Sequence, residues 1–252
     1  MIDTHTHVDT RPYEDFELLA IAGVSDVITL AHDPMRMSSS SVFEDHFDRL
    51  MAEKTRAGKQ GISVHLGLGF HPRTRPEDLD VCYELLEAYL KNGYAIAIGE
   101  TGLETRDPYE ISLFQRQIEM AMKFNLPIIA HTPRSSKVEI TREILNILST
   151  FSINKDQIVI DHADADTVKL ILACGYNAGL TVQPGKLTPA AATEIVKKHD
   201  VSRLLINTDM SSSPTDVLGV PRTAHVMRLA GVDPRLIDTV CDKNARRVFK
   251  IK

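Results

Sequence analysis

The sequence predicts an α/β protein, a single (β/α)₈ (TIM) barrel spanning residues 1–252. Three observations carry this. Short β-rich runs recur eight times along the chain, each is followed by a stretch with helical spacing, and 252 residues is the length that eight such units occupy. The strands are expected at Ile2–Val8, Ser25–Leu30, Ile62–Phe70, Ala95–Glu100, Pro127–His131, Gln157–His162, Asn177–Val182 and Arg203–Thr208. Runs such as Ile128-Ile129-Ala130 and Ile158-Val159-Ile160 are continuously apolar, as strands of a parallel sheet covered on both faces are.

Helices are expected at Tyr13–Ala22, Val42–Gly58, Pro76–Asn92, Tyr109–Phe124, Glu139–Phe151, Ala165–Cys174 and Pro189–His199, then at Val220–Ala230 and Pro234–Phe249. Leu113, Ile118 and Met122 recur at helical spacing, as do Val168, Ile171 and Leu172. Asp107-Pro108, Thr188-Pro189 and Asp233-Pro234 place a capping side chain before a proline in the first turn. Gly58, Gly93 and Gly175 stand where helices should end. Strict alternation of strand and helix requires crossovers, hence a parallel sheet. A doubly wound open sheet is the alternative, but G-x-G-x-x-G is absent, and Gly67-Leu68-Gly69 lacks its third glycine.

Composition narrows the function classes. The chain is 43% hydrophobic with net charge −5, which suits a globular domain and not a nucleic-acid coat. Its apolar runs, as at Leu18–Val24, are far too short to span a membrane. Met1 leads straight into Ile-Asp-Thr-His-Thr-His with no signal-peptide pattern, so a cytoplasmic protein is expected. Cys82, Cys174 and Cys241 fall in expected helices and read as reduced packing residues. There is no G-x-S-x-G for a serine hydrolase and no C-x-x-C for thiol redox chemistry.

In such a barrel the chemistry lies at the C-terminal ends of the strands. His5 and His7 share one face of the first strand; Glu100, His131 and His162 end the fourth, fifth and sixth; Asp209 follows the eighth. Each has a plain structural alternative: a hydrogen-bonded core histidine, a paired or capping glutamate, an aspartate in a turn. Their recurrence at equivalent strand ends favours a metal cage, and imidazole with carboxylate suits Zn²⁺, with Mn²⁺ or Mg²⁺ as alternatives. Six ligands exceed one catalytic zinc, so two ions are expected: His5, His7 and Asp209 at one, His131 and His162 at the other, Glu100 bridging. Asp209 is also the candidate base for an activated water, giving Asp209 and Glu100 catalytic roles.

With these residues the sequence resembles the TatD family of metal-dependent hydrolases, within the amidohydrolase superfamily. The likeness runs through Ile2-Asp3-Thr4-His5-Thr6-His7, Gly69-Phe70-His71-Pro72, Ile98-Gly99-Glu100-Thr101-Gly102-Leu103, His131, His162, Thr208-Asp209 and Asn244–Phe249, essentially the whole chain. It implies a (β/α)₈ fold, divalent metals and hydrolysis, with DNA exonuclease activity in the best-known members. Carried over, the metal ligands fall on His5, His7, Glu100, His131, His162 and Asp209, and His71 matches a histidine near the substrate. The chain departs from the family at Glu104, where an aspartate is usual, at Thr132–Lys137, and at Met210–Ser213. These departures fall on substrate-facing loops, so the metal chemistry is expected to be retained while a DNA substrate is not assured.

The loops carry Arg11, Arg36, Arg73, Arg75, Arg106, Arg134, Lys137 and Lys186, interspersed with Asp33, Glu104, Asp107, Asp164 and Asp216. On an acidic protein this suggests an anionic substrate, DNA or a small phosphoester, met by His71, Arg73 and Arg134. No basic stretch interleaved with aromatics is present for stacking bases, and Phe70 and Tyr109 read as core and helix residues. The expected function is hydrolysis of phosphodiester bonds by a metal-activated water. A lactonase or amidase is the enzymatic alternative, and a non-catalytic metal-binding barrel the alternative of another class.

Overall fold

The computed structural model describes residues 1–252. Eight parallel strands form one sheet in sequence order: β1 (Ile2–Thr6), β2 (Asp26–Leu30), β3 (Ser63–Leu68), β4 (Ala97–Gly102), β5 (Ile128–His131), β6 (Ile158–Ile160), β7 (Asn177–Thr181) and β8 (Leu204–Asn207). Helices α1 (Glu14–Ile21), α2 (Ser40–Gly58), α3 (Leu79–Lys91), α4 (Pro108–Phe124), α5 (Lys137–Ser149), α6 (Val168–Ala173), α7 (Pro189–Lys198) and α8 (Gly219–Leu229) follow the strands in turn. The expected (β/α)₈ barrel is the observed fold, and all eight strands overlap the expected runs, though β4 begins two residues later than expected and runs on past Glu100 to Gly102.

The proline caps form as expected. Asp107, Thr188 and Asp233 each accept a backbone N–H from the first turn of the following helix. Gly93 and Gly175 follow helix ends at positive φ, whereas Gly58 is still helical and Gly61 makes the turn instead. The last helix differs from its expected continuous form. Pro234–Asp238 (α9) passes through a π-helical stretch, Thr239–Lys243, into Asn244–Phe249 (α10). The cysteines carry no disulfide, and Cys82 and Cys241 are buried with their thiols pushed up to about 12 by burial. No helix is long and apolar enough to cross a membrane.

Two cores result. The larger fills the space between sheet and helices. The smaller is the barrel interior: Ile2, Ile28, Leu30, Ala97, Ile129, Val159 and Leu205, with Ala245, Val248 and Phe249 of α10 packed against them. Strand periodicity carries these inward faces on to His32, His131, Asp161, Asn207 and Asp209, two or four residues further along their chains. Gly179 leaves the room this needs, since a Cβ there would lie 1.5 Å from Asp161 Oδ1.

Two strands break the period. In β1 three steps from Asp3 to Thr6 match two steps from Val27 to Thr29 on β2; in β4 the steps from Ile98 to Thr101 match two on β5. Each extra residue is a bulge that re-aims the side chains beyond it. Ile2 and His5, three apart, both face inward, and so do Ala97 and Glu100.

The barrel closes between β8 and β1 through a side chain as well as backbone. Thr208 N–H donates to Asp3 Oδ1 at 3.1 Å and its hydroxyl to Oδ2 at 2.6 Å. Asp209 N–H then donates to His5 O and His7 N–H to Met210 O. Burial pushes the Asp3 carboxyl up to about 7, so a neutral amide is its nearest mimic. Asp3→Ala should cost about 2–4 kcal/mol, because it strands two buried donors, and Asp3→Asn less than half of that. Urea unfolding of both variants checks the order.

Candidate metal centre

His5 and His7 each turn Nε2 to the centre because their other nitrogen is occupied. His5 Nδ1 donates to Asp161 Oδ2 at 2.7 Å, and Asp161 is itself held by Asn207 at 3.0 Å. His7 Nδ1 donates to the Leu30 carbonyl at 3.1 Å. Glu100 Oε2 lies 3.4 Å from His5 Nε2 and 3.5 Å from His7 Nε2. Asp209 Oδ1 lies 3.6 and 3.2 Å from the same two nitrogens, which are 3.3 Å from each other. Ligands about 2.0–2.1 Å from zinc at tetrahedral corners are about 3.3 Å apart, so His5, His7 and Glu100 are spaced to take one ion, with Asp209 at similar distances from the two histidines.

The other Glu100 oxygen faces a second pair. Oε1 lies 2.8 Å from His131 Nδ1 and 3.3 Å from His162 Nε2. His162 Nδ1 rests on the Thr181 hydroxyl at 2.8 Å, and His131 Nε2 on Glu104 at 2.9 Å. The donor atoms of His5, His7 and Glu100, and those of Glu100, His131 and His162, lie within 4.8 Å of one another, as a metal-binding group requires. His162 and Asp209 adopt left-handed backbone, φ 61° and 49°, which turns each away from the continuing strand direction.

Charge follows geometry. Burial alone would raise the Glu100 carboxyl, but His5, His71, His131 and His162 around it hold it well below the usual range. Asp209 is likewise held low against burial by His7, His5 and Lys186. Burial and the Lys186 ammonium, which donates to Nδ1, keep His162 well below its ordinary value.

The centre floors a cavity of about 510 Å³ with no hydrophobic residue in its lining. His71 is there, its Nε2 3.9 Å from Glu100, and burial pushes it down to about 3. Arg73 and Arg134 reach the wall, Arg73 already paired with Asp33 at 2.7 Å and Glu104 at 3.5 Å. Of the other loop cations only Lys186 joins them, 2.5 Å from Asp209 Oδ2 and 3.0 Å from His162 Nδ1. Arg11 is spent on Asp15 and Ser211, and Arg75 on Asp107, Glu110 and the Tyr109 ring. Phe70 lies in the core between Phe43 and Tyr83.

The structure thus brings together all six cage residues expected from the sequence, with His71, Arg73 and Arg134 on the cavity wall. Sequence reasoning missed Asp161 and Thr181, which orient histidines, and the placement of Lys186 at the centre. For Asp161 a signal was there: it stands two residues beyond inward-facing Val159, whereas His162 needs its unusual φ to turn in.

Comparison with known proteins agrees with this chemistry. The family model described as TatD related DNase matches residues 2–250. An uncharacterized metal-dependent hydrolase of Methanocaldococcus jannaschii is 39% identical over the whole of both chains. A metal-dependent hydrolase named TatD from Mycobacterium tuberculosis is 23% identical, covering 99% of this chain and 97% of its own. The crystal structure of a TatD-like protein from Archaeoglobus fulgidus superposes with a TM-score of 0.86 at 27% identity, covering 100% of both. Family model, relatives and the histidine–carboxylate groups give one answer: the chain belongs to the TatD family of metal-dependent hydrolases.

Proposed function

We propose that the enzyme hydrolyses phosphoester bonds, phosphodiesters included, at a centre of two divalent ions. The observation that carries this is the division of Glu100, one oxygen facing His5 and His7 and the other facing His131 and His162. His5, His7, Glu100 and Asp209 would hold one ion; Glu100, His131 and His162 the other. Imidazole and carboxylate donors suit Zn²⁺ first, then Mn²⁺ or Mg²⁺. Ions held there supply Lewis acidity, polarising the ester and making water a nucleophile near neutral pH.

The residues of the chain do the remaining work. Arg134 and Lys186 in a wall built almost wholly of polar side chains favour an anionic group. Asp209, ionised and held by Lys186, takes the proton of the attacking water. The water oxygen bonds to phosphorus, the bond to the leaving alcohol breaks, and the proton passes to that alkoxide. The cavity lining holds no aromatic ring other than imidazole on which a base would stack, which favours a small phosphoester or a strand end over an extended DNA strand. Three free thiols and no disulfide are in keeping with a reducing, cytoplasmic setting.

Protein purified without chelator should contain two equivalents of metal and cleave bis(p-nitrophenyl) phosphate in preference to lactones and amides. Less than one equivalent after supply of Zn²⁺ or Mn²⁺ would contradict the two-ion centre, and faster lactone turnover the substrate class. At saturating metal Asp209→Asn should lose about 10²–10⁴-fold in kcat. Asp161→Asn should weaken Zn²⁺ binding about 10- to 100-fold in chelator competition, with activity recovering as metal is raised, because it only orients His5.

A further inference from the structure

His32 is held on three sides and left free on the fourth. It follows β2 on the face that Ile28 and Leu30 direct into the barrel. Its backbone N–H donates to Nε2 of His46, on α2, at 3.2 Å. Its own Nε2 lies 3.2 and 3.3 Å from the two oxygens of Asp9. Its ring packs on His7, centroids 4.2 Å apart and planes inclined by 35°.

Asp9, His32 and His46 have the composition of a metal site, and their donor atoms lie within 4.8 Å. The hydrogen bonds argue otherwise. Nε2 of His46 accepts a backbone proton, so in the neutral ring Nδ1 keeps its hydrogen and offers a cation no lone pair. The trio instead builds His32. The Asp9 carboxylate only accepts, which fixes the His32 hydrogen on Nε2 and leaves Nδ1 a bare lone pair. Nδ1 has no partner in the protein, and His32 lines the 510 Å³ cavity beside His7, while Asp9 and His46 lie behind it along a separate cavity.

We propose that His32 Nδ1 is a specificity-determining acceptor for a hydroxyl on the alcohol part of the substrate, next to the scissile ester. The favoured substrates are then phosphate esters of polyols, not of plain alkyl alcohols. This rests on the phosphoester reading and adds the identity of the alcohol. A site built to receive a hydrogen bond rejects a substrate without the donor, because its buried acceptor is left unpaired. Asp9 is the positioning residue: an amide in its place can donate to Nε2, moving the hydrogen to Nδ1 and turning the acceptor into a donor.

The test compares glycerol 2-phosphate with isopropyl phosphate, which has the same three-carbon skeleton without the flanking hydroxyls. The ratio of kcat/KM for the first over the second should fall about tenfold or more in His32→Phe, at unchanged metal content, and Asp9→Asn should place a hydrogen on His32 Nδ1 in the ¹⁵N spectrum. Equal losses on both esters would overturn the proposal. The second readout is the ¹⁵N spectrum of the His32 imidazole in the Zn²⁺-loaded wild type. Nδ1 should carry no hydrogen and should shift on addition of glycerol 2-phosphate but not of isopropyl phosphate. A hydrogen on Nδ1, or equal shifts with both, would overturn it. If neither ester is turned over, the phosphoester reading fails and these spectra alone decide the role of His32.

Discussion

Glu100 is a buried carboxylate within β4, and keeping it ionised is the constraint on which the rest of the site depends. Stripped of water, such a group becomes neutral unless cations or donors surround it. Here His5 at one oxygen and His131 and His162 at the other do so, with His7 beside His5. An imidazole presents the right edge only if its other nitrogen is engaged. Asp161 beyond β6, Leu30 of β2, Thr181 of β7 and Glu104 after β4 each supply that second contact. One carboxylate therefore enlists groups from most of the barrel, which is why a closed sheet, with all strand ends in one ring, is the scaffold.

Regular strands cannot aim so many side chains at one point. Period-two alternation sends inward residues up the wall at about 6.6 Å intervals, with nothing between. Bulges in β1 and β4 insert the phase change that brings His5 and Glu100 inward after Ile2 and Ala97. Left-handed backbone does the same for His162 beyond β6, and at Asp209 it turns the chain out of the strand direction beyond β8. Such conformations cost backbone energy and persist where the surroundings over-determine them. At Asp209 the surroundings are a backbone bond to His5 and the Gln183 amide on its carbonyl. At His162 they are Thr181 and the Lys137 ammonium on its carbonyl.

These phase changes divide what was legible in the sequence from what was not. The strands were legible, because apolar runs between proline-capped helices have few other readings, and so was the clustering of the six polar residues, because polar groups in or just after apolar strands are conspicuous. The oriented contacts were not. Asp161 stands beside His162 and the more familiar ligand type drew the eye; its inward face follows only from the phase of Val159, fixed by packing across the barrel. Lys186 was one loop cation among eight until the turn after β7 placed it on Asp209. The interruption of the last helix at Thr239–Lys243 has no composition cue, since Val240 and Cys241 stay buried on either reading.

The cage and the rim that meets substrate are separable in this fold, with one exception. The second contacts of His5, His7 and His162 lie in strands or directly at their ends, where hydrogen bonding to neighbouring strands fixes them. That of His131 is Glu104, in the loop after β4, and Glu104 also reaches Arg73. An aspartate at that position would be one methylene shorter and would need a closer loop to make the same bond. Glu110 in turn holds that loop through the backbone of Glu104 and Thr105. Changes in the loops can therefore retune most of the rim without touching the imidazoles around Glu100, but through Glu104 they bear on His131. Because Arg73 shares that carboxylate, an anion that draws Arg73 into the cavity also changes the charge behind His131. The rim thus acts on the histidine–carboxylate cluster along one definite route, through the Glu104 carboxylate.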